Sequence, residues 1–293
     1  MAAFRPENQY PRGGSAKNGS IGRLAALLCA AMLGACASLP EPISKERLAE
    51  ILSSPDRREA DRTNDLRRKP AEMLAFIGVR PGMVALDLSA GGGYTTELIA
   101  RAVGPTGKVY GQSRPRDPNN PPPKPPAPEG NATGAPAAAK PPAGPPNSPL
   151  ALAERAKNPA AANIVAVVRR FEDPVPPEVA SGTLDLATLM FNYHDLAWLK
   201  IDRAQMNRAV FAALKPGGIY VIADHAGRPG TGDTEAGTLH RIEDAFLRRE
   251  VEAAGFRLAE EGTFLRNPND PRDRNTPVPA QPKDQFVFKF MKP

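Results

Sequence analysis

Two periods organise the apolar positions of this chain. Strand-like runs with apolar residues on both faces occur at Met83 to Leu88 (MVALDL), Lys108 to Gly111, Asn163 to Val168, Leu184 to Phe191 (LDLATLMF) and Ile219 to Ala223 (IYVIA). Between them lie segments of helical period: Tyr94 to Val103, Leu150 to Lys157, Ile201 to Leu214 and Arg241 to Ala254. Phe256 to Leu265 and Gln285 to Met291 (QFVFKFM) read as a closing pair of strands, with Phe286, Phe288 and Phe290 on one face. A further helix starts at Lys69-Pro70, with proline at the first helical position, and stops at Gly78. Strands alternating with helices predict an α/β three-layer sandwich, and each β-α-β unit should be parallel and right-handed.

Three segments depart from this pattern. Asp56 to Arg68 (DRREADRTNDLRR) is densely charged and reads as a helix with solvated faces. Its functional alternative is a lid, with Arg57, Arg58, Arg62 and Arg67 folded over the glycine loop that follows Leu88. From residue 114 to 149, fourteen of 36 residues are proline, and aromatic and branched aliphatic residues are missing. Such a stretch buries too little apolar surface to offset its chain entropy, so a disordered surface insertion is expected. Residues 37 to 55 read as a tether leading into a domain of residues 56–293.

The first 36 residues change the picture most. Arg5, Arg12, Lys17 and Arg23 precede ten apolar residues, LAALLCAAML, too few to span a bilayer and suited to the core of a signal peptide. Leu33-Gly34-Ala35-Cys36 resembles the bacterial lipobox, which implies a lipid on Cys36 and a periplasmic, membrane-anchored protein. An ordinary cleaved signal ending in Ala35-Cys36-Ala37 is the alternative. Cys29 and Cys36 are the only cysteines, so the mature domain carries no disulfide. Residues 1–35 hold four bases and one acid, so the net charge of +6 becomes 6 − 3 = +3 beyond them. That charge is no argument for nucleic acid, and no nucleic-acid partner is expected.

Candidate chemistry centres on Asp87 to Gly93 (DLSAGGG), a glycine-rich turn between strand and helix. A dinucleotide fingerprint places its third glycine at Thr96 and lacks the acid that should close the second strand, where Gln112 stands. The pattern instead resembles the S-adenosylmethionine loop of class I methyltransferases, an acid followed by G-x-G-x-G, here Asp87-x-Ser89-x-Gly91-x-Gly93. Residues without side chains let backbone approach a ligand, and a helix N-terminus receives a carboxylate. Three further markers resemble that family: Asp185 to Asp195 its fourth strand, Leu214-Lys215-Pro216-Gly217-Gly218 its turn into strand five, and Glu252 to Phe256 its lead-in to strand six. From Ser54 to Pro293, apart from the insertion, the chain is similar to a group of bacterial exported proteins described only as predicted methyltransferases.

The resemblance implies a Rossmann-like class I methyltransferase fold, with a seven-stranded, mostly parallel sheet and an antiparallel C-terminal strand. It implies S-adenosylmethionine as cofactor and an acceptor that is a small molecule or envelope component. Asp87 would orient the loop, and Ser89, Gly91, Gly92 and Gly93 would line the methionine moiety. Gln112 would stand at the ribose, Asn192 would touch cofactor or acceptor, and Phe171 would stack on adenine or sit in the core. A non-catalytic binding lipoprotein on the same fold is the rival, since Gln112 and Ser89 both depart from the family pattern.

The chain has three histidines, and His194, His225 and His240 are all expected at the carboxyl edge of the sheet, where open α/β folds bind ligands. One of them would remove the acceptor's proton, with Tyr193 or Asp195 positioning it. Alternatively the three histidines with Asp195 or Asp224 would hold Zn²⁺ or another divalent ion; without H-x-x-x-H or similar spacing, no metal is expected.

Overall fold

A computed structural model describes residues 40–116 and 148–293. The leader and most of the proline-rich segment, the latter expected as a disordered insertion, lie outside the described residues. The apolar runs form seven strands: β1 (Val84–Leu88), β2 (Lys108–Ser113), β3 (Ile164–Val168), β4 (Leu184–Met190), β5 (Leu214–His225), β6 (Arg257–Gly262) and β7 (Gln285–Met291). They make one sheet in the order β3-β2-β1-β4-β5-β7-β6. The pairs β1–β2, β2–β3, β1–β4 and β4–β5 are parallel, and β7 is antiparallel to both β5 and β6. β1 lies inside the sheet, between β2 and β4, as suits a strand whose Ala85, Leu86 and Leu88 are apolar on both faces and fully buried.

Helices cover both faces. One layer contains α1 (Lys45–Ser53), α3 (Pro70–Ile77), α4 (Tyr94–Val103) and α5 (Ser148–Arg155), whose Leu48, Ile51, Leu74, Ile77, Ile99 and Leu152 share one apolar cluster. The other holds α6 (Tyr193–Trp198), α7 (Arg203–Ala213) and α9 (Asp244–Ala253), with Leu196, Met206, Val210, Leu247 and Val251 packed together. No helix among the described residues is long and apolar enough to cross a membrane.

Several boundaries differ from the sequence reading, each for a packing reason. Residues expected as a tether contain α1, capped by Ser44 and buried through Leu48 and Ile51, an i, i+3 pair on one helical face. Ser148 and Pro149, assigned above to the insertion, open α5. Lys215-Pro216-Gly217-Gly218 is taken into the start of β5, where the register against β4 shifts between Leu184 and Leu186. Arg241 does not begin the last helix: it is fully buried and paired with Asp270 at 2.9 Å.

The expected solvated helix is α2 (Glu59–Arg68), and it is not solvated throughout. Arg57, just ahead of it, is buried and forms a two-pronged pair with Asp65, at 2.7 and 2.8 Å. Asp61 is buried as well, against Arg155. These charges satisfy one another, so the segment can leave water without stranding an ion.

Strand order reverses between β1 and β4: the chain runs outward from β1 through β2 to β3, then returns to β4 on the other side. In an open parallel sheet this switch point opens a crevice at the carboxyl ends of the strands.

Candidate functional site at the carboxyl edge of the sheet

The glycine loop leaves β1 at this switch point. Asp87 is buried beneath it, one oxygen accepting from the Thr96 hydroxyl (2.6 Å) and the other from Thr188 (2.8 Å). It therefore ties α4 and β4 to the end of β1 beneath the loop. Burial pushes its pKa up to about 6, against the lowering effect of the two threonine hydroxyls and the Thr96 N–H.

Ser89 sits in the left-handed region, with φ of 55°. Its N–H donates to the Gln112 side-chain oxygen at 3.0 Å, while the Gln112 amide nitrogen donates to the Arg169 carbonyl at 2.7 Å. Gln112 is fully buried with both ends of its amide engaged. This corrects the expectation that it stands at the ribose: it fastens the loop to β2 and to the segment after β3. Phe171 is likewise a core residue, buried with Leu86, Tyr110 and Val167.

The three glycines divide between two roles. Gly93 caps α4 at φ of 82°, and a Cβ there would lie 2.7 Å from the Arg155 side chain and 2.8 Å from Leu152. A Cβ on Gly92 would meet nothing within 4 Å. Gly93 is thus filled from within the protein, whereas Gly92 faces open space and a Cβ on Gly91 would meet the Ser89 carbonyl at 3.8 Å. Arg155 holds the loop from its side, donating to the Gly92 carbonyl (2.5 Å) and pairing with Asp61 and Glu97.

At the end of β4 the chain turns through Phe191, with φ of 58°. The Ser89 hydroxyl donates to the Asn192 side-chain oxygen (2.6 Å), and the Asn192 amide donates to Asp195 (2.6 Å). Asn192 therefore links the glycine loop to the histidine cluster. His194 follows at the start of α6; its Nδ1 lies 2.6 Å from Asp224 Oδ1, and its backbone N–H donates to Asp224 Oδ2 at 2.8 Å. Its ring centroid is 5.5 Å from those of both His225 and His240. All three histidines expected on this rim are brought together there. Burial opposes a charge on His194, but Asp224, with help from Asp195, outweighs it and the pKa is raised. Burial, with Lys283 nearby, pushes His225 well below its ordinary value.

Tyr193 does not join them. Its side chain is fully buried on the opposite face of the short helix, where its hydroxyl meets Glu250 (3.0 Å) and Asn207 (2.9 Å). With its hydroxyl held by Glu250 and Asn207 and its side chain fully buried, Tyr193 is turned away from the histidine cluster. Tyr193 is a packing residue and not a candidate for catalysis.

The sequence reading missed Arg68. Its guanidinium lies 3.6 Å over the Phe191 ring, and its Nη1 is shielded from solvent with no hydrogen-bond acceptor. Burial lowers its pKa to about 9. It lines a small cavity with Tyr94, Thr95, Leu98, Met190 and Phe191. Arg68 is one arginine in a dense charge run, so no spacing distinguishes it; only the fold puts it over Phe191.

No family model and no curated protein matches this chain. Solved structures do. One S-adenosylmethionine-dependent methyltransferase, from Aquifex aeolicus, superimposes with a TM-score of 0.52 over 85% of this chain and 98% of its own, at 15% identity. A TehB-like methyltransferase from Corynebacterium glutamicum gives 0.45 over 80% and 96%, at 16% identity. At such identities the likeness is one of architecture. The seven-stranded sheet, its order and its single antiparallel strand are those of the Rossmann-like class I methyltransferase fold.

Proposed function

We propose that this chain is an S-adenosylmethionine-dependent methyltransferase acting on a small molecule or envelope component. One observation carries the reading: an arginine whose Nη1 is shielded and lacks a hydrogen-bond acceptor shares a cavity with Tyr94 and Thr95, the first residues of α4. The first N–H groups of a helix have no intrahelical partner and attract an anion. Arg68, Tyr94 and Thr95 fit the carboxylate of the cofactor's methionine moiety, and Gly91 and Gly92 leave room for its chain. The ribose end is less well provided, because Gln112 is committed within the protein.

When bound, the cofactor supplies a methyl group on a sulfonium, open to in-line displacement. The chain's own part is alignment and exclusion of water. Arg68 and the α4 N-terminus anchor one end, and α2 covers the loop through the Asp61–Arg155–Gly92 contacts. Asn192 and His225 stand on the acceptor side of the rim. The closed Gln112 amide favours one rival, a non-catalytic ligand-binding lipoprotein; transfer of a labelled methyl group to any acceptor excludes it.

Calorimetry on residues 37–293 should show saturable binding of S-adenosylmethionine and of its demethylated product. Arg68→Met should weaken both about tenfold or more, since a hydrogen bond to a charged group contributes roughly 1.5–3 kcal/mol. No binding of either ligand at concentrations on the order of 1 mM, equivalent to less than about 4 kcal/mol, refutes the reading. The proposal includes export and a lipid anchor on Cys36, supported by the basic and apolar leader and its Leu33–Cys36 motif. Incorporation of labelled palmitate should be lost in Cys36→Ser, and label persisting in that variant refutes the anchor.

A further inference from the structure

Three side chains on the rim converge on one point. His194 and Asp195 open α6, whereas His240 lies 45 positions later, directly after α8 (Ala236–Leu239). One ligand atom from each falls within 4.8 Å of the other two. His194 Nε2 is 3.4 Å from Asp195 Oδ1, and His240 Nδ1 is 3.5 Å from that same oxygen. Both distances are long for hydrogen bonds. They match another geometry closely: bonds of about 2.0–2.1 Å in a tetrahedral zinc site place neighbouring donor atoms about 3.3–3.4 Å apart.

The surroundings are those of a supported ligand set. His194 Nδ1 is engaged by Asp224, itself fully buried, which turns Nε2 toward Asp195 and His240. A carboxylate on the far nitrogen of a ligating histidine is the usual outer support of a metal site, fixing both tautomer and ring orientation. Asp195 uses its other oxygen to accept from Asn192, which leaves Oδ1 directed at the two imidazoles. His240 is held at φ of 49°, an uncommon conformation for a residue with a side chain, and such strain gathers at functional positions. Lys283, whose charge bears on His194, donates to the Asn275 side chain (2.9 Å) and the Leu239 carbonyl (3.4 Å).

We infer that His194 Nε2, His240 Nδ1 and Asp195 Oδ1 form a binding site for a divalent transition-metal ion of the zinc class. Two imidazoles and one carboxylate suit such an ion, and three protein ligands leave one tetrahedral position open, as at sites that handle a substrate and not at closed structural sites. The site lies on the acceptor side of the rim, joined to the glycine loop through Asn192 and Ser89. It does not depend on the methyltransferase reading, because it rests on no residue proposed to hold the cofactor.

The test uses residues 37–293 purified without a histidine tag and stripped with chelator, then dialysed against Zn²⁺ and counted by elemental analysis. One Zn²⁺ per chain is expected, and Co²⁺ in its place should give the visible absorption of a tetrahedral site. His240→Ala and Asp195→Asn, both at partly exposed positions, should lose the bound metal while their circular dichroism stays that of the parent. Asp224→Asn should weaken binding about 10- to 100-fold through the lost outer support. Retained stoichiometry in His240→Ala and Asp195→Asn would mean adventitious binding elsewhere and overturn the inference. Absence of metal in the parent would overturn it too, leaving a protonated His194 between Asp195 and Asp224 as the account of the cluster.

Discussion

Asp87 offers the sharpest check on the energetics of the site. Its carboxyl is buried with three donors around it, two threonine hydroxyls and the Thr96 N–H, yet burial outweighs them and its pKa stands at about 6 instead of 3.8. The native state therefore holds this proton more tightly than the unfolded chain does. Its contribution to stability is full below pH 3.8, shrinks as pH rises through about 6, and is gone above. A displacement from 3.8 to about 6, at about 1.4 kcal/mol per pKa unit, amounts to ~3 kcal/mol. Asp87→Asn replaces the group by one that never ionises. Urea unfolding of parent and variant, measured at half-unit steps from below pH 4 to above pH 7, isolates its effect from the other carboxylates. Relative to the variant, the parent should lose stability between about pH 4 and 6, by an amount on the order of 3 kcal/mol, and then run parallel. A difference that stays flat across that window, or one that grows in the parent's favour, refutes the claim that desolvation dominates at Asp87.

Three further outcomes follow from the same geometry. Gly93→Ala should lower the thermal midpoint by more than 1 kcal/mol's worth, through a positive φ and a clash with Arg155 and Leu152, whereas Gly92→Ala should unfold like the parent yet bind S-adenosylmethionine more weakly in calorimetry. Arg155→Met leaves Asp61 and Glu97 buried without their common partner and should cost about 3–5 kcal/mol by chemical denaturation. Tyr193→Phe should cost about 1 kcal/mol in the same assay and leave ligand binding unchanged, since its hydroxyl meets Glu250 and Asn207 away from the glycine loop.

Periodicity alone determined much of this protein. Runs such as MVALDL and IYVIA, apolar on both faces, read as buried strands, and the segments between them repeat at helical period, which fixes the α/β layering but not the order of the strands. The glycine loop was legible because its constraint is local, a backbone that must turn and start a helix within a few residues. So was the gathering of three histidines on one rim, since each stands near the end of a strand or of the segment leading from it.

Tertiary structure decided what those residues do. Gln112 and Tyr193 look available in sequence, but their partners, Arg169, Glu250 and Asn207, are 57, 57 and 14 positions away, and only folding shows both side chains already spent. The charged α2 looked solvated because its counter-ions were not all within one helical turn: Asp61 meets Arg155 across 94 residues. Arg68 and the His194–Asp195–His240 triad carry no spacing signal, because their geometry arises where separate loops meet at the switch point. Period sets which face of an element is buried; which long-range partner consumes a polar group is settled only when the layers pack.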